Sequence, residues 1–227
     1  MFPQRIRDQR GWIKVYEEQG AYWRHNGHAT APHALLTKGD HSDGFFLSRL
    51  VTDDDTLLGE ASSDLMDASR EILDLWKVKR IVGPQTGATK LAQAVAGKML
   101  LVTGNSVGWA SPKKPDDGKG PMTFDDPANM VMPGEIVLLC EDVVTTGGSV
   151  KQAADAVTAA GGIVLPFVLS LVNRGGLEVA HGRKVIALIN QPMKTWSPAD
   201  CPLCPRSEAI SPKRPDGNWL RLTKHAA

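Results

Sequence analysis

Ile136-Val137-Leu138-Leu139-Cys140-Glu141-Asp142-Val143-Val144-Thr145-Thr146-Gly147-Gly148-Ser149 is the stretch that decides the fold. Its first five residues are a continuous apolar run, the pattern of a strand buried on both faces of a parallel sheet. The run delivers two adjacent carboxylates, Glu141 and Asp142, at the strand's C-terminal end. A Thr-Thr-Gly-Gly-Ser turn then enters a helix, since Val150, Ala153, Ala154 and Val157 recur at helical spacing and Gly161-Gly162 stops them. Ser149 with Gln152 reads as a capping box, which predicts a helix over about 150–160. In open α/β sheets ligands bind at such strand ends. Glycine lets backbone N–H groups approach an anion, the hydroxyls of Thr145, Thr146 and Ser149 donate to it, and the helix end adds about half a positive charge. A phosphate therefore fits the turn. The two carboxylates repel that phosphate and suit sugar hydroxyls or a hydrated divalent cation instead. Together the two demands describe a sugar phosphate.

Outward from this stretch, the pattern repeats strand and helix. Arg80 to Gly83 is a short apolar run closed by Gly-Pro, and Leu91, Ala92, Val95, Ala96 and Met99 follow at helical spacing. Upstream, Leu65, Met66, Ser69, Ile72, Leu73 and Trp76 predict a helix behind an N-cap at Ser62-Ser63-Asp64. Ile163–Val172 and Val185–Ile189 supply two more strands, with Pro166 marking a bulge or an edge. This alternation predicts an α/β fold with an open, mainly parallel sheet flanked by helices. Residues 1–50 show no repeating pattern, and the Gly-, Pro-, Lys- and Asp-rich segment 104–133 reads as a long mobile connection without an element of its own.

The chain has 227 residues, with 26 Lys+Arg against 25 Asp+Glu. That balance offers no global field for nucleic acid or an anionic membrane. No apolar stretch reaches membrane-spanning length and the N-terminus lacks a signal-peptide core, so the expected compartment is the cytoplasm. Three cysteines are too few for a disulfide framework, in keeping with a reducing compartment. Gly104-Asn105-Ser106-Val107-Gly108 matches the Gly-x-Ser-x-Gly of hydrolases but lacks the strand-to-helix context that motif needs. Cys201-Pro202-Leu203-Cys204 has zinc-ligand spacing yet is half a site, which His225, Cys140 or a second subunit would have to complete. Two reduced thiols in a C-terminal turn is the simpler reading, with Trp196 and Trp219 packing a small hood.

The 136–149 stretch resembles the 5-phosphoribosyl-1-pyrophosphate (PRPP) binding motif of type I phosphoribosyltransferases, and among these the chain is most similar to orotate phosphoribosyltransferases. The resemblance implies the type I fold, with a small hood from the N- and C-terminal segments. The expected parts are 1–60 as N-terminal hood and base-side segment, 61–195 as core and 196–227 as hood extension. It implies transfer of the phosphoribosyl group from PRPP to orotate with Mg²⁺ as cofactor, as a homodimer with a shared active site. Transfer to a purine or another base, and a PRPP-sensing regulator on the same fold, are the alternatives; the regulator lacks any nucleic-acid module.

The same resemblance distributes roles. Glu141 and Asp142 would hold the ribose, and Val143, Val144, Thr145, Thr146, Gly147, Gly148 and Ser149 would form the PRPP motif with the 5-phosphate on its turn. Thr86, Gly87 and Ala88, within Gly83-Pro84-Gln85-Thr86-Gly87-Ala88, would form the pyrophosphate loop. Leu36 to Phe46 resembles the orotate-enzyme N-terminal segment, except that Thr37 occupies the lysine position and Lys38 follows one place later. The base would meet Lys38, Thr145 and Arg174, since a guanidinium suits a planar carboxylate. In the expected catalytic loop, Lys113 and Lys114 would be catalytic and Lys119 would bind PRPP; the family's arginine and histidine are missing there. Residues 109–124, with Gly118, Gly120 and several prolines, would act as a lid.

Overall fold

The computed structural model describes residues 6–116, 119–213 and 218–224. The chain opens with α1 (Gln9–Glu18), β1 (Tyr22–Arg24), β2 (His33–Leu35), β3 (His41–Ser42), β4 (Gly44–Phe46), α2 (Arg49–Thr52) and α3 (Asp55–Ser69). It continues through β5 (Arg80–Val82), α4 (Thr89–Thr103), β6 (Gly108–Ala110), β7 (Ile136–Val144), α5 (Gly148–Ala159), β8 (Ile163–Asn173), β9 (Val179–Ala180) and β10 (Arg183–Asn190). Last come β11 (Thr195–Trp196), β12 (Ala209–Ile210) and α6 (Asn218–Thr223). Two units result: Met1–Trp12 with Thr52–Gln191, and Ile13–Val51 with Pro192–Ala227. No described helix is long and apolar enough to cross a membrane.

The larger unit holds a six-stranded sheet in the order β6-β5-β7-β8-β10-β9, parallel except for the edge strand β9. On β7, Val137, Leu138, Leu139 and Cys140 are all buried, as a strand covered on both faces requires. Val137 and Leu139 join Val150, Ala153, Ala154 and Val157 of α5 in one core cluster, so the predicted helical face is the packed face. On α4 the predicted residues Leu91, Ala92, Val95, Ala96 and Met99 are all buried. Between β7 and β8 the register slips, with Val137 opposite Val164 but Leu139 opposite Val168. The extra residues on β8 include Pro166, which cannot donate to a ladder, so the proline marks a bulge as its sequence indicated. At the other end of the sheet Arg80 grips Glu135 with two bonds, Nε to Oε2 at 2.6 Å and one Nη to Oε1 at 2.9 Å.

Several sequence expectations need correction. The helix placed behind Ser62-Ser63-Asp64 begins seven residues earlier, capped by Asp54, whose carboxylate accepts from Thr56 N and Leu57 N. Ser62 and Ser63 lie inside it, donating to the carbonyls of Leu58 and Gly59. Buried Asp64 accepts from Ile6 N, Arg7 N and Trp12 Nε1, which ties the first described residues to α3. The helix also stops at Ser69, and Ile72 and Trp76 are exposed rather than core. At α5 the cap is Gly147, with no side-chain bond, so Ser149 and Gln152 form no capping box. Segment 104–133 is not free of elements: β6 pairs with β5, and Met122 and Val131 are buried in the core. Three residues are too few to show alternation in sequence, and a single tryptophan between glycine and alanine is not the apolar run that marks β5. Gly104 to Gly108 runs from helix into strand, the reverse of a nucleophile elbow.

The smaller unit is made of short pieces. β1 pairs with β4, and a four-stranded sheet runs β11-β3-β2-β12. Residues 1–50, patternless in sequence, include α1 and four strands: Val15 and Tyr16 are buried, and Tyr16 meets Phe46 edge-on while Tyr22 stacks on it. Trp23, Ala34, Phe45, Ile210 and Leu222 form its apolar cluster, with Trp219 packed against them. β2 and β3 form a hairpin whose turn is closed by Leu36 N to Asp40 O at 2.7 Å.

Candidate active site

Within the larger unit three strand ends meet. β5, β7 and β8 are parallel neighbours, so the segments after them emerge on one side of the sheet. The order β6-β5-β7 reverses the direction of winding between β5 and β7, the kind of crevice in which α/β sheets bind ligands.

The segment after β7 carries Glu141, buried, and Asp142, half-buried. Asp142 Oδ1 accepts from Val143 N at 2.9 Å, which orients the carboxylate. Gly147 starts α5 with φ +75°, a conformation that favours glycine, and a β-carbon there would also press on Ala180 and His181. Because no side chain caps α5, the amides of its first turn point past the helix start, where an anion would be held. Behind the acids, burial and then the charges of Glu141 and Asp142 push the Cys140 thiol up, so it stays a neutral core residue.

The segment after β5 lies against these acids. An ideal β-carbon on Gly87 would sit 2.5 Å from Asp142 Oδ2, so only glycine allows the turn and the carboxylate to share this space. Gly83 is as confined, between Ala88 and Cys140. The turn is pinned from below by Gln85 N to Pro112 O at 3.0 Å and Ser111 Oγ to Gly83 O at 2.7 Å. Its Gln85–Thr86 peptide is cis. Gln85, Thr86 and Gly87 are exposed, whereas Ala88 is buried and its amide donates to Pro84 O. Thr86 and Gly87 are thus the exposed members of the predicted Thr86–Ala88 trio.

At the end of β8 the amides of Arg174 and Gly175 both donate to Val144 O, at 2.9 and 3.1 Å. Arg174 is buried, its backbone held against Val144 just before the 145–149 turn. A β-carbon on Gly175 would collide with the carbonyl of Thr145, a requirement invisible in sequence. Asn173 fixes the turn beyond, bonding Leu177 through both ends of its amide.

The lysine-bearing segment leaves β6. Lys113 and Thr123 exchange two backbone bonds, and Met122 and Phe124 pack into the core, so the return leg is anchored by apolar contacts. Lys113 Nζ pairs with Asp116 Oδ1 at 2.9 Å, and that hydrogen bond and charge push its ammonium above lysine's ordinary value. Lys114 and Lys119 are exposed; Asp117 and Gly118 lie outside the described residues. Lys38 stands exposed on the β2–β3 hairpin turn of the smaller unit.

Parallel sheet, paired acids and uncapped helix start lie together on a type I phosphoribosyltransferase fold. The chain belongs to the phosphoribosyl transferase domain family, whose profile matches residues 59–196. Its relatives include the orotate phosphoribosyltransferase of Heliobacterium modesticaldum, 35% identical over 182 residues that cover 79% of this chain and 88% of that protein. The orotate phosphoribosyltransferase of Pelotomaculum thermopropionicum is 31% identical over 191 residues, covering 83% of this chain and 91% of its own. Among solved structures, orotate phosphoribosyltransferase from Aeropyrum pernix superposes with a TM-score of 0.56 at 20% identity, covering 78% of this chain and 93% of that one. At that identity the likeness speaks for the fold.

Proposed function

We propose that the protein transfers the 5-phosphoribosyl group from PRPP to orotate, giving orotidine 5′-monophosphate and pyrophosphate. The observation that carries this reading is the placing of the Asp142 carboxylate between two anion-friendly turns, 145–149 and 85–87. One turn takes the 5-phosphate, the other the diphosphate, and the acids between them take the ribose hydroxyls. As diphosphate leaves, the anomeric carbon becomes cation-like, so catalysis consists of holding sugar, leaving group and base in line. No covalent nucleophile is needed.

Magnesium is the expected cofactor, arriving with PRPP. The hard carboxylate oxygens of Asp142 and Glu141 fit such an ion, whose chemistry is to neutralise the leaving diphosphate. Lys113, Lys114 and Lys119 add positive charge from the 111–124 segment, and Lys113 exchanges Asp116 for diphosphate as it closes. Arg174 is proposed to receive the orotate carboxylate, with Thr145 beside the base, and the family resemblance gives Lys38 a base-binding role. A homodimer in the cytoplasm completes the reading.

The deciding experiment is pyrophosphate release from PRPP and Mg²⁺ with a panel of bases. Turnover with orotate is expected; turnover with adenine, hypoxanthine or uracil but none with orotate would retain phosphoribosyl transfer and discard the orotate assignment. Arg174→Ala is expected to lose about 2 to 5 kcal/mol of transition-state binding for orotate while PRPP still binds.

A further inference from the structure

The smaller unit contains a second chemical centre, which the transferase reading does not use. His33, His41, Cys201 and Cys204 each present one ligand atom, and these four atoms lie within 4.8 Å of one another. His33 Nε2 is 3.1 Å from His41 Nδ1 and 3.5 Å from each of the two sulfurs, and His41 Nδ1 is 3.0 Å from Cys204 Sγ. Cys140 and His225, the partners considered from sequence, are not among them: Cys140 is in β7 and His225 lies outside the described residues.

The sheet explains the convergence. His33 opens β2 at the foot of the hairpin, and His41 opens β3 opposite Leu35, two residues along from His33 and so on the same face. β11 pairs Trp196 with His41, and β12 pairs Ala209 with His33, so the segment between those strands starts and ends beside the two histidines. Cys201 and Cys204 sit in that segment.

Hydrogen bonding alone does not satisfy this cluster. Ser207 Oγ donates its one proton to Leu203 O at 3.1 Å, so it accepts from His33 Nδ1, 3.0 Å away. That assigns the His33 proton to Nδ1 and leaves a lone pair on Nε2 facing three other polar atoms. One lone pair takes one strong donor, yet His41, Cys201 and Cys204 all converge on it. His33, His41 and Cys201 are buried, which keeps water from completing the set.

We infer that His33 Nε2, His41 Nδ1, Cys201 Sγ and Cys204 Sγ bind one structural zinc ion. Bonds of about 2.0 Å to nitrogen and 2.3 Å to sulfur give tetrahedral edges of roughly 3.3 to 3.8 Å; the two His33–sulfur separations of 3.5 Å match, the 3.1 and 3.0 Å contacts of His41 would open slightly, and all four atoms already lie within 4.8 Å of one another. Two nitrogens with two sulfurs select zinc among common divalent ions, and four protein ligands close the coordination shell. Two thiolates neutralise the ion, so the buried site carries no net charge. Ser207 then acts as the partner that fixes the His33 ring, as a carboxylate or carbonyl does behind other zinc-bound histidines. The ion would join the 197–208 segment to the hairpin whose turn carries Lys38.

Protein produced with zinc in the medium and purified without chelator is expected to contain about one zinc per chain, released in step with mercurial titration of Cys201 and Cys204. Cobalt exchanged into the wild type is expected to show the intense visible bands of a tetrahedral ion and a thiolate charge-transfer band. Both are lost in the Cys201→Ser, Cys204→Ser double variant and kept in His28→Ala, and Ser207→Ala weakens metal binding by about 10- to 100-fold. Should the double variant fail to fold, the wild-type zinc content and cobalt spectrum decide. Freely reacting thiols with no bound metal, a Cys201–Cys204 disulfide, iron in the site, or octahedral cobalt would each overturn the assignment.

Discussion

The two units solve the cost of ordering a chain differently. In the larger one, Val137 to Cys140 are all buried, and helices cover neighbouring strands with apolar faces. In the smaller one no described strand exceeds three residues, and the buried apolar side chains, among them Tyr16, Trp23, Phe46 and Ile210, come from short separate pieces. Hydrophobic burial scales with area, so the first unit holds itself by packing, while a unit of short pieces needs a staple. The His33–His41–Cys201–Cys204 quartet sits where such a staple works. The comparison teaches that one chain divides its labour, with apolar mass under the strand ends that carry Glu141 and Asp142 and polar cross-linking in the other unit.

The strongest way to break this contrast is a chelator. Structural zinc contributes on the order of 10 kcal/mol in small metal-dependent folds, so stripping it is expected to abolish hydrogen-exchange protection at β2 and β3 while β7 and β8 stay protected. Uniform loss across both units would show that packing and metal are not separately deployed. Next in size, Leu138→Ala removes a fully buried side chain and is expected to cost about 2 to 5 kcal/mol in denaturant unfolding of the larger unit. Zinc content is expected to be unchanged in that variant.

Asp142→Asn sharpens the comparison inside the larger unit. It alters a half-buried carboxylate proposed to hold the ribose, and turnover is expected to fall by about 100-fold or more with little change in melting temperature. Wild-type rates would remove Asp142 from the site. The smallest effect concerns Glu135. Burial pushes its carboxyl up, but the Arg80 fork and the Met132 amide outweigh burial and hold it below the usual carboxylate range. With the folded value lowered, this stabilisation is complete above the unfolded glutamate value and is lost as pH falls through the lower folded one. Glu135→Gln is expected to flatten that part of the acid limb in a stability–pH profile, by a small amount because the pair is partly solvated.

How much was legible follows from how local each signal is. The apolar run 136–140, the acids and the turn are contiguous, and backbone geometry alone carries them to a strand end and a helix start. The α4 and α5 faces were legible because period 3.6 repeats within a dozen residues. Three residues show too little alternation to be read as a strand unless, like Arg80–Val82, they form an apolar run, and Gly108-Trp109-Ala110 does not. Ser62-Ser63-Asp64 misled because polar residues of that kind cap helices more often than they bury, and burial is decided by what packs against them.

By itself the sequence determined the family, the parallel sheet and the two-acid strand end that leads through a glycine turn into a helix, since these depend on residues a few positions apart. Only the tertiary structure decided that Gly87 must yield its space to Asp142, that Gly175 must clear the Thr145 carbonyl, and that Asp64 anchors Trp12. It alone also joined His33 and His41 to Cys201 and Cys204. Those pairings span tens to well over a hundred residues, and no local rule of spacing reaches across a distance that only the pairing of strands can close.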